Sequence, residues 1–353
     1  MAPSREVAVV ATAQTKHRRA AVELNEVEMI QPVIREVLDA VGGISEIGFT
    51  CSGSSDYLAG QAFSFVMTLD AVGAYPPIVE SHVEMDGAWA LYEAWLKIQA
   101  GHADTALVYG YSKASPGDLP NVMSRGLDPY YYGPLWPDSV AFAGLQARAM
   151  LEAGKITAEE MAQIAHRSRT SAESNPFAQV TGSASVDELL AAPMFSDPLR
   201  RHDLPPISDG GVAVVLAAGD KAREWSDRPA WIRGIDHRID SHNFGARDLT
   251  VAPSIGIAAQ KAGVGNGDVD VAELHAPFTH QEKIIATELG LGSGVEINPS
   301  GGALAANPML AAGLIRIAEV ADRISAGSAG RGVAHATGGQ LLQQNLVCVL
   351  EGE

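Results

Sequence analysis

The sequence predicts an α/β protein with a largely parallel sheet covered by helices, and three observations lead there. Short apolar runs of strand length alternate with amphipathic stretches of helical period. One strand–helix–strand unit recurs in both halves. The 353 residues, 46% of them hydrophobic, supply material for more than one core. A chain of this length passes the size at which single hydrophobic cores usually stop growing, so two core units are expected.

The first strand is read at Val7 to Ala11 and leads to a helix with Ile30, Val33, Ile34, Val37, Leu38 and Val41 on one stripe. A second strand ends near Cys51, followed by a Gly/Ser loop, a helix bearing Leu91, Trp95 and Ile98, and a strand from Thr105 to Tyr109. The carboxyl half repeats the pattern with a strand at Val269 to Leu274, a helical stripe of Leu310, Leu314, Ile317, Ala321 and Ile324, and a strand at Gly332 to Ala336. Between Tyr111 and Arg201 the pattern gives way to sequence rich in Pro, Gly and aromatics. Within it, Thr157 and Glu160 form a capping box before the apolar face of Met161, Ile164 and Ala165. The run Ile207 to Ala218 closes the first half, so the halves are expected at 1–218, with the insertion at about 111–201, and 219–353.

A net charge of −17 argues against nucleic acid, which is bound through clustered Lys and Arg. No apolar run reaches the roughly 18 residues of a membrane span and the amino terminus lacks signal-peptide order, so a cytoplasmic protein is expected. Cys51 and Cys348 show no metal-binding spacing and read as unpaired thiols, with no zinc or other metal expected.

Five segments, in order, resemble the thiolase superfamily and its lipid-transfer, non-condensing branch: GHADTALVYGYSK at 101–113, NPFA at 175–178, SDPLRRHDLPPISDGGVAVVLA at 196–217, DVDVAELHAPFTHQE at 268–282 and NPSGGALAANPMLAAG at 298–313. The resemblance implies duplicated βαβ-type halves in a five-layer αβαβα arrangement. It also shows what this chain lacks. Glu84, in the turn EMDG that opens a glycine-led helix, stands where the family has its acyl-accepting cysteine. Asn307 replaces the histidine of the family's Gly-His-Pro, and the glycine-rich loop from His335 to Asn345 has no cysteine. Cys51 lies in another segment and reads as a structural thiol.

Acyl transfer through sulfur is thereby excluded, whereas stabilisation of a thioester enolate is not. The expected reaction is retro-aldol cleavage of a β-hydroxyacyl-CoA, as in bacterial steroid side-chain retro-aldolases, with a steroid or bile-acid tail. The alternative is a degenerate thiolase that only binds lipid or acyl-CoA as a scaffold. In the enzymatic reading His275, of the pattern His-x-x-Phe, is the base, Asn307 donates to the thioester oxygen, and Glu84 or Asp86 orients His275 or acts as base. Tyr131, Tyr132, Phe278 and Asn345 are expected to contact substrate, and Arg167, Arg169, Arg200 and Arg201 are candidates for the CoA phosphates. No cofactor is expected beyond the coenzyme A thioester itself. The resemblance further implies a homodimer core with an OB-fold and zinc-ribbon partner protein.

Overall fold

A computed structural model describes residues 5–73 and 77–353. Ten strands share one hydrogen-bonded order. Five belong to the first half: β1 (Val7–Gln14), β2 (Phe49–Gly53), β3 (Glu80–Val83), β4 (Thr105–Lys113) and β5 (Asp209–Ala218). Five belong to the second: β6 (Ala230–Ile239), β7 (Val271–Leu274), β8 (Glu296–Ile297), β9 (Arg331–Gly338) and β10 (Gln344–Glu351). The order β3-β2-β4-β5-β1 in one half is matched by β8-β7-β9-β10-β6 in the other. In both, the first-named pairs are parallel and the last two strands run antiparallel to their neighbours. The register slips at Val10 in β1 and at Arg233 in β6, the fourth residue of the first strand of each half. A bulge at the same place in both copies is the trace of one unit used twice.

The halves meet where Ala8 and Val9 pair with Trp231 and Ala230. Because side chains alternate across a strand, each half-sheet shows two apolar faces. Ala106, Val108, Val212, Val214 and Leu216 face inward with Val271, Ala334, Leu346 and Cys348, enclosing the helices α2 (Gly87–Gln99) and α6 (Ala312–Ser325). Leu107, Tyr109, Ala213 and Val215 face outward under α1 (Glu26–Asp39). Ala272, Leu274, Val333 and Val347 face outward under α4 (Pro253–Ala262) and α5 (Thr279–Glu288). The five-layer αβαβα arrangement that the resemblance implies is the one observed. The long insertion contributes α3 (Ala158–Ser171), whose capping box of Thr157 and Glu160 is formed as expected. A second capping box, Asn25 with Glu28, opens α1.

Leu310, assigned by its spacing to the last helical stripe, lies outside α6 at φ 68°. Its carbonyl accepts a hydrogen bond from Gly87 N at 2.8 Å, tying the segment before α6 to the start of α2. The two central helices touch at glycine. A Cβ on Gly87 would lie 2.8 Å from Leu314 Cδ2, and one on Gly313 would lie 2.5 Å from Ala336 Cβ and 2.7 Å from Asp86 Oδ1. Gly313→Ala is therefore expected to overpack the middle layer and lower unfolding free energy by about 1–3 kcal/mol in urea titrations. An unchanged midpoint would show that the layer yields at this point.

Candidate active site

His275 follows β7 directly, and Asn307 lies in the segment between the short helix Gly302–Ala305 and α6. The structure brings them together: His275 Nε2 lies 3.0 Å from Asn307 Oδ1. On the other side of the ring, the Thr337 amide donates to His275 Nδ1 over a long 3.4 Å. Since Nδ1 accepts, the hydrogen of the neutral ring sits on Nε2 and is donated to Asn307. Burial lowers the His275 pKa to about 4, against a small opposing effect of Asn307, so the ring is neutral at pH 7. The Asn307 backbone is fixed by Ser208 Oγ at 2.9 Å, and its Nδ2 has no protein partner among the described residues. The pair is thus arranged to donate, and the ring's Nε2 is not free to take up a proton in this arrangement.

Asp86 caps two helices at once. It is the N-cap of α2, accepting from Ala88 N at 2.8 Å, and it reaches across to accept from Gly313 N at 2.9 Å and Leu314 N at 3.0 Å. The first turn of α6 has no side-chain cap of its own. Burial raises the Asp86 pKa while the three N–H groups pull it back. With both oxygens bound to backbone, Asp86 is a structural clamp and not the base or orienter expected from the sequence. Glu84, two residues earlier, is exposed, and its oxygens accept from Ser55 Oγ at 2.8 Å and Asp56 N at 3.1 Å. The turn it occupies lies against the glycine-rich loop, since a Cβ on Gly338 would be 3.3 Å from Met85 Cε.

The expected substrate contacts are placed otherwise. Asn345 is fully buried, bonded to His335 Nε2 at 3.0 Å and to Ser254 Oγ and Leu342 O at 2.8 Å each, which leaves it nothing to offer a ligand. Phe278 packs in the outer core of the second half. Tyr131 is 77% exposed. The Tyr132 hydroxyl donates to Asn243 Oδ1 and accepts from Phe244 N, fastening the insertion to the second half. Beyond it, Arg247 lies over the Phe244 ring and donates to the carbonyls of Gln340 and Leu341 in the glycine-rich loop. Cys51 is buried and its thiol is pushed up to about 12 by burial, in keeping with a structural role.

Sequence reading missed the support behind His275. Glu273, two residues earlier and so on the same side of β7, forms a buried ion pair with Arg316 of α6. Ser300 N and Oγ both donate to that carboxylate, at 2.9 and 2.7 Å. The signal available was the single arginine within the buried stripe of the last helix. A cavity of about 70 Å³ lined by Ser54, Ser55, Tyr111, Val122 and Leu310 lies beside the turn that Glu84 fastens. A larger groove of about 730 Å³, lined by Arg5, Glu46, Asp104 and Lys221, sits where β4 begins and β5 ends, away from His275. Its charges neutralise one another, as in Arg5 with Asp104 and Lys221 with Glu46.

No protein-family model matches the chain. It is 27% identical over 381 residues to the acetyl-CoA acetyltransferase of Methanothermobacter thermautotrophicus, spanning 95% of this chain and 97% of that one. It is 27% identical over 300 residues to sterol carrier protein 2 of Gallus gallus, with 71% of this chain covering 54% of that protein. Human mitochondrial 3-ketoacyl-CoA thiolase superposes with a TM-score of 0.79 at 17% identity over 99% of both chains. The chain thus has the thiolase fold and is similar in sequence to proteins of the thiolase superfamily. A further structural match, the Ltp2-ChsH2(DUF35) aldolase, has a TM-score of 0.82 at 19% identity and covers 98% of this chain and 97% of that one. In this thiolase-fold chain the turn before α2 carries Glu84, and the loop from His335 to Asn345 contains no cysteine. Among the described residues, no helix is long and apolar enough to cross a membrane.

The hydrogen bonds and buried rings of the site make two expectations measurable. Asp86→Ala removes the caps of two helices and is expected to cost about 2–4 kcal/mol of stability, measured by chemical denaturation. Burial lowers His17, His280 and His335 to about 3 and His275 to about 4. The unfolded chain therefore binds more protons than the folded one below pH 6.5, and the stability these four residues give is complete above that pH and lost as pH falls toward 4 and 3. Urea midpoints at pH 7.0, 5.5 and 4.5 should fall in that order, less steeply in His335→Gln. A flat series would overturn the buried-neutral assignment.

Proposed function

We propose that this chain is a thiolase-like carbon–carbon lyase that cleaves a β-hydroxyacyl-CoA by retro-aldol chemistry. The observation that carries the reading is the His275–Asn307 donor pair, kept at the end of β7 while the sulfur positions hold Glu84 and a cysteine-free loop. The similarity to the Ltp2-ChsH2(DUF35) aldolase supports it. In the reaction the β-hydroxyl proton passes to the Glu84 carboxylate. The Cα–Cβ bond then breaks, its electrons move into the thioester as an enolate, and a ketone or aldehyde leaves. Asn307 Nδ2 donates to the enolate oxygen, and His275 Nε2–H, bonded to Asn307 Oδ1, polarises that amide and fixes its orientation. Protonation at Cα releases the shortened acyl-CoA. Of the two carboxylates the sequence offered as base, Glu84 retains unengaged lone pairs.

The acyl tail is assigned by family resemblance to a steroid or bile-acid side chain. Its cavity beside Leu310 is small against the roughly 300–1,000 Å³ of ligand pockets, so the tail extends beyond it toward the insertion. The similar aldolase structure includes a DUF35 component in its name. By analogy this chain works as a dimer with a partner of OB-fold and zinc-ribbon type, in the cytoplasm.

The test is to purify the chain with its partner, supply a branched β-hydroxyacyl-CoA and follow release of propionyl- or acetyl-CoA together with a carbonyl product. Asn307→Ala is expected to lower kcat about 10²–10³-fold, and Glu84→Gln about 10²–10⁴-fold with little change in KM. A pH–rate profile free of any His275-dependent inflection between pH 5 and 8 is expected, because the ring stays neutral there. Binding without cleavage would replace the lyase by the acyl-CoA-binding scaffold. Full activity in Glu84→Gln would remove Glu84 as the base.

A further inference from the structure

The motif NPFA at 175–178 lies in the insertion, in the turn that follows α3, and holds no residue of the donor pair. Asn175 builds this turn: its Oδ1 accepts from Phe177 N at 2.9 Å, and its carbonyl accepts from Ala178 N at 3.2 Å. Its Nδ2 reaches out of the turn. It donates to Ser300 O at 3.0 Å, 125 residues later in the chain, and lies 3.4 Å from Glu319 Oε1.

Ser300 belongs to the stretch that carries Asn307. From Asn298 onward this stretch contains one short helix, Gly302–Ala305, and passes through left-handed backbone at Asn298, Gly301 and Gly302, with φ of 51°, 94° and 62°. Lacking a regular ladder, its backbone polar groups need partners from elsewhere. The insertion supplies them. Ser300 O takes Asn175, Gly301 O takes the Ser168 hydroxyl of α3, and Ala305 O takes Gln179 N at 3.2 Å and Val180 N at 2.9 Å. Gln179 Nε2 also donates at 3.1 Å to the carbonyl of Ile207, which precedes the Ser208 that accepts from Asn307 N. The packing is equally close, since a Cβ on Gly301 would lie 2.6 Å from Ala172 Cβ just past the end of α3.

Ser300 also faces the other member of the pair. Its N and Oγ donate to Glu273, two residues before His275, while its carbonyl goes to Asn175. A second tie runs from Arg167 of α3 to Glu282 of α5, whose other oxygen accepts from Asn298 Nδ2 at 2.8 Å. We propose that Asn175 is a positioning residue for the donor pair: by holding the Ser300 carbonyl it fixes the backbone that carries Asn307, so that the insertion, and not the sheet alone, sets the 3.0 Å contact between Asn307 and His275. Asn175 touches neither of the two and acts through Ser300. The kinetic consequence rests on the lyase reading above, whereas the structural one does not. A donor aimed at a developing enolate loses up to about 10²-fold in rate when misplaced by about 1 Å.

Asn175→Asp tests this, because it keeps the acceptor for Phe177 N and removes the donor to Ser300 O. In protein labelled with 15N-histidine, the His275 Nε2–H proton, identified by its loss in His275→Gln, is expected as a protected resonance in the wild type. In Asn175→Asp it should shift and exchange about tenfold faster or more. On a β-hydroxyacyl-CoA, kcat should fall about 10–10²-fold with KM changed less than about twofold. Ser168→Ala, which removes the neighbouring bond to Gly301 O, should move both readouts in the same direction. Ser174→Ala, an exposed neighbour whose hydroxyl donates to Ser171 O, should move neither. Thermal melts identify a variant that loses its fold, and if Asn175→Asp does, Ser168→Ala decides. An unchanged His275 resonance in the folded variants overturns the proposal whatever their activity. A rise in KM at constant kcat also overturns it, since the insertion then acts on binding alone. If the resonance moves as expected but the wild type cleaves nothing, the positioning stands and the lyase reading falls.

Discussion

The middle layer of the protein depends on one carboxylate. Asp86 begins a helix of the first half and accepts from three backbone N–H groups, two of which open the matching helix of the second half. A helix start buried inside a protein needs partners for its free N–H groups, and α6 has none from its own sequence. Supplying them from the other half joins the two copies of the repeated unit at the level of hydrogen bonds as well as apolar packing. It also explains the small residues there, because Gly87 and Gly313 let the helix starts come close enough for one side chain to reach both.

The residues of the proposed site are arranged around this joint. Residues before α2 carry Glu84, residues before α6 carry Asn307, and the end of β7 carries His275. The buried pair of Glu273 and Arg316, with Ser300, ties β7, the segment leading to Asn307 and α6 into one body behind the donor pair. Three separate stretches of chain thus keep a fixed spacing at the strand ends, where open α/β sheets present their ligand sites. The neutrality of His275 follows from the same enclosure, since burial dominates the shift of its pKa.

The insertion shares an apolar core with the second half, where Met150, Ile156, Met161 and Leu199 join the cluster of Ile255, Leu274 and Ile285, and polar contacts fasten it further. Tyr132 joins it to Asn243 and Phe244, Arg247 passes the connection to the glycine-rich loop, and α3 reaches Gly301 through Ser168. Tyr130, Tyr131 and Trp136 remain exposed on it. Of the two tyrosines the sequence offered as substrate contacts, Tyr132 therefore serves as an anchor and Tyr131 faces solvent.

The sequence by itself determined the alternation of strands and helices and the duplication, while the five layers and the changed residues at the sulfur positions were implied by its resemblance to the thiolase superfamily. Periods of 2 and 3.6 set which face of each strand and helix is apolar, and residue identity alone says that Glu84 and Asn307 cannot do the work of cysteine and histidine. Resemblance to two histidine landmarks of the thiolase superfamily put His275 and Asn307 in one site. The sequence did not determine what each polar side chain would touch. Asp86 accepts two of its three hydrogen bonds from residues more than two hundred positions away, Asn345 is consumed by His335, Ser254 and Leu342, and the tautomer of His275 is set by Thr337. Those outcomes belong to the tertiary structure, because a buried polar group takes whichever partner packing brings within about 3 Å, and no local pattern records that distance.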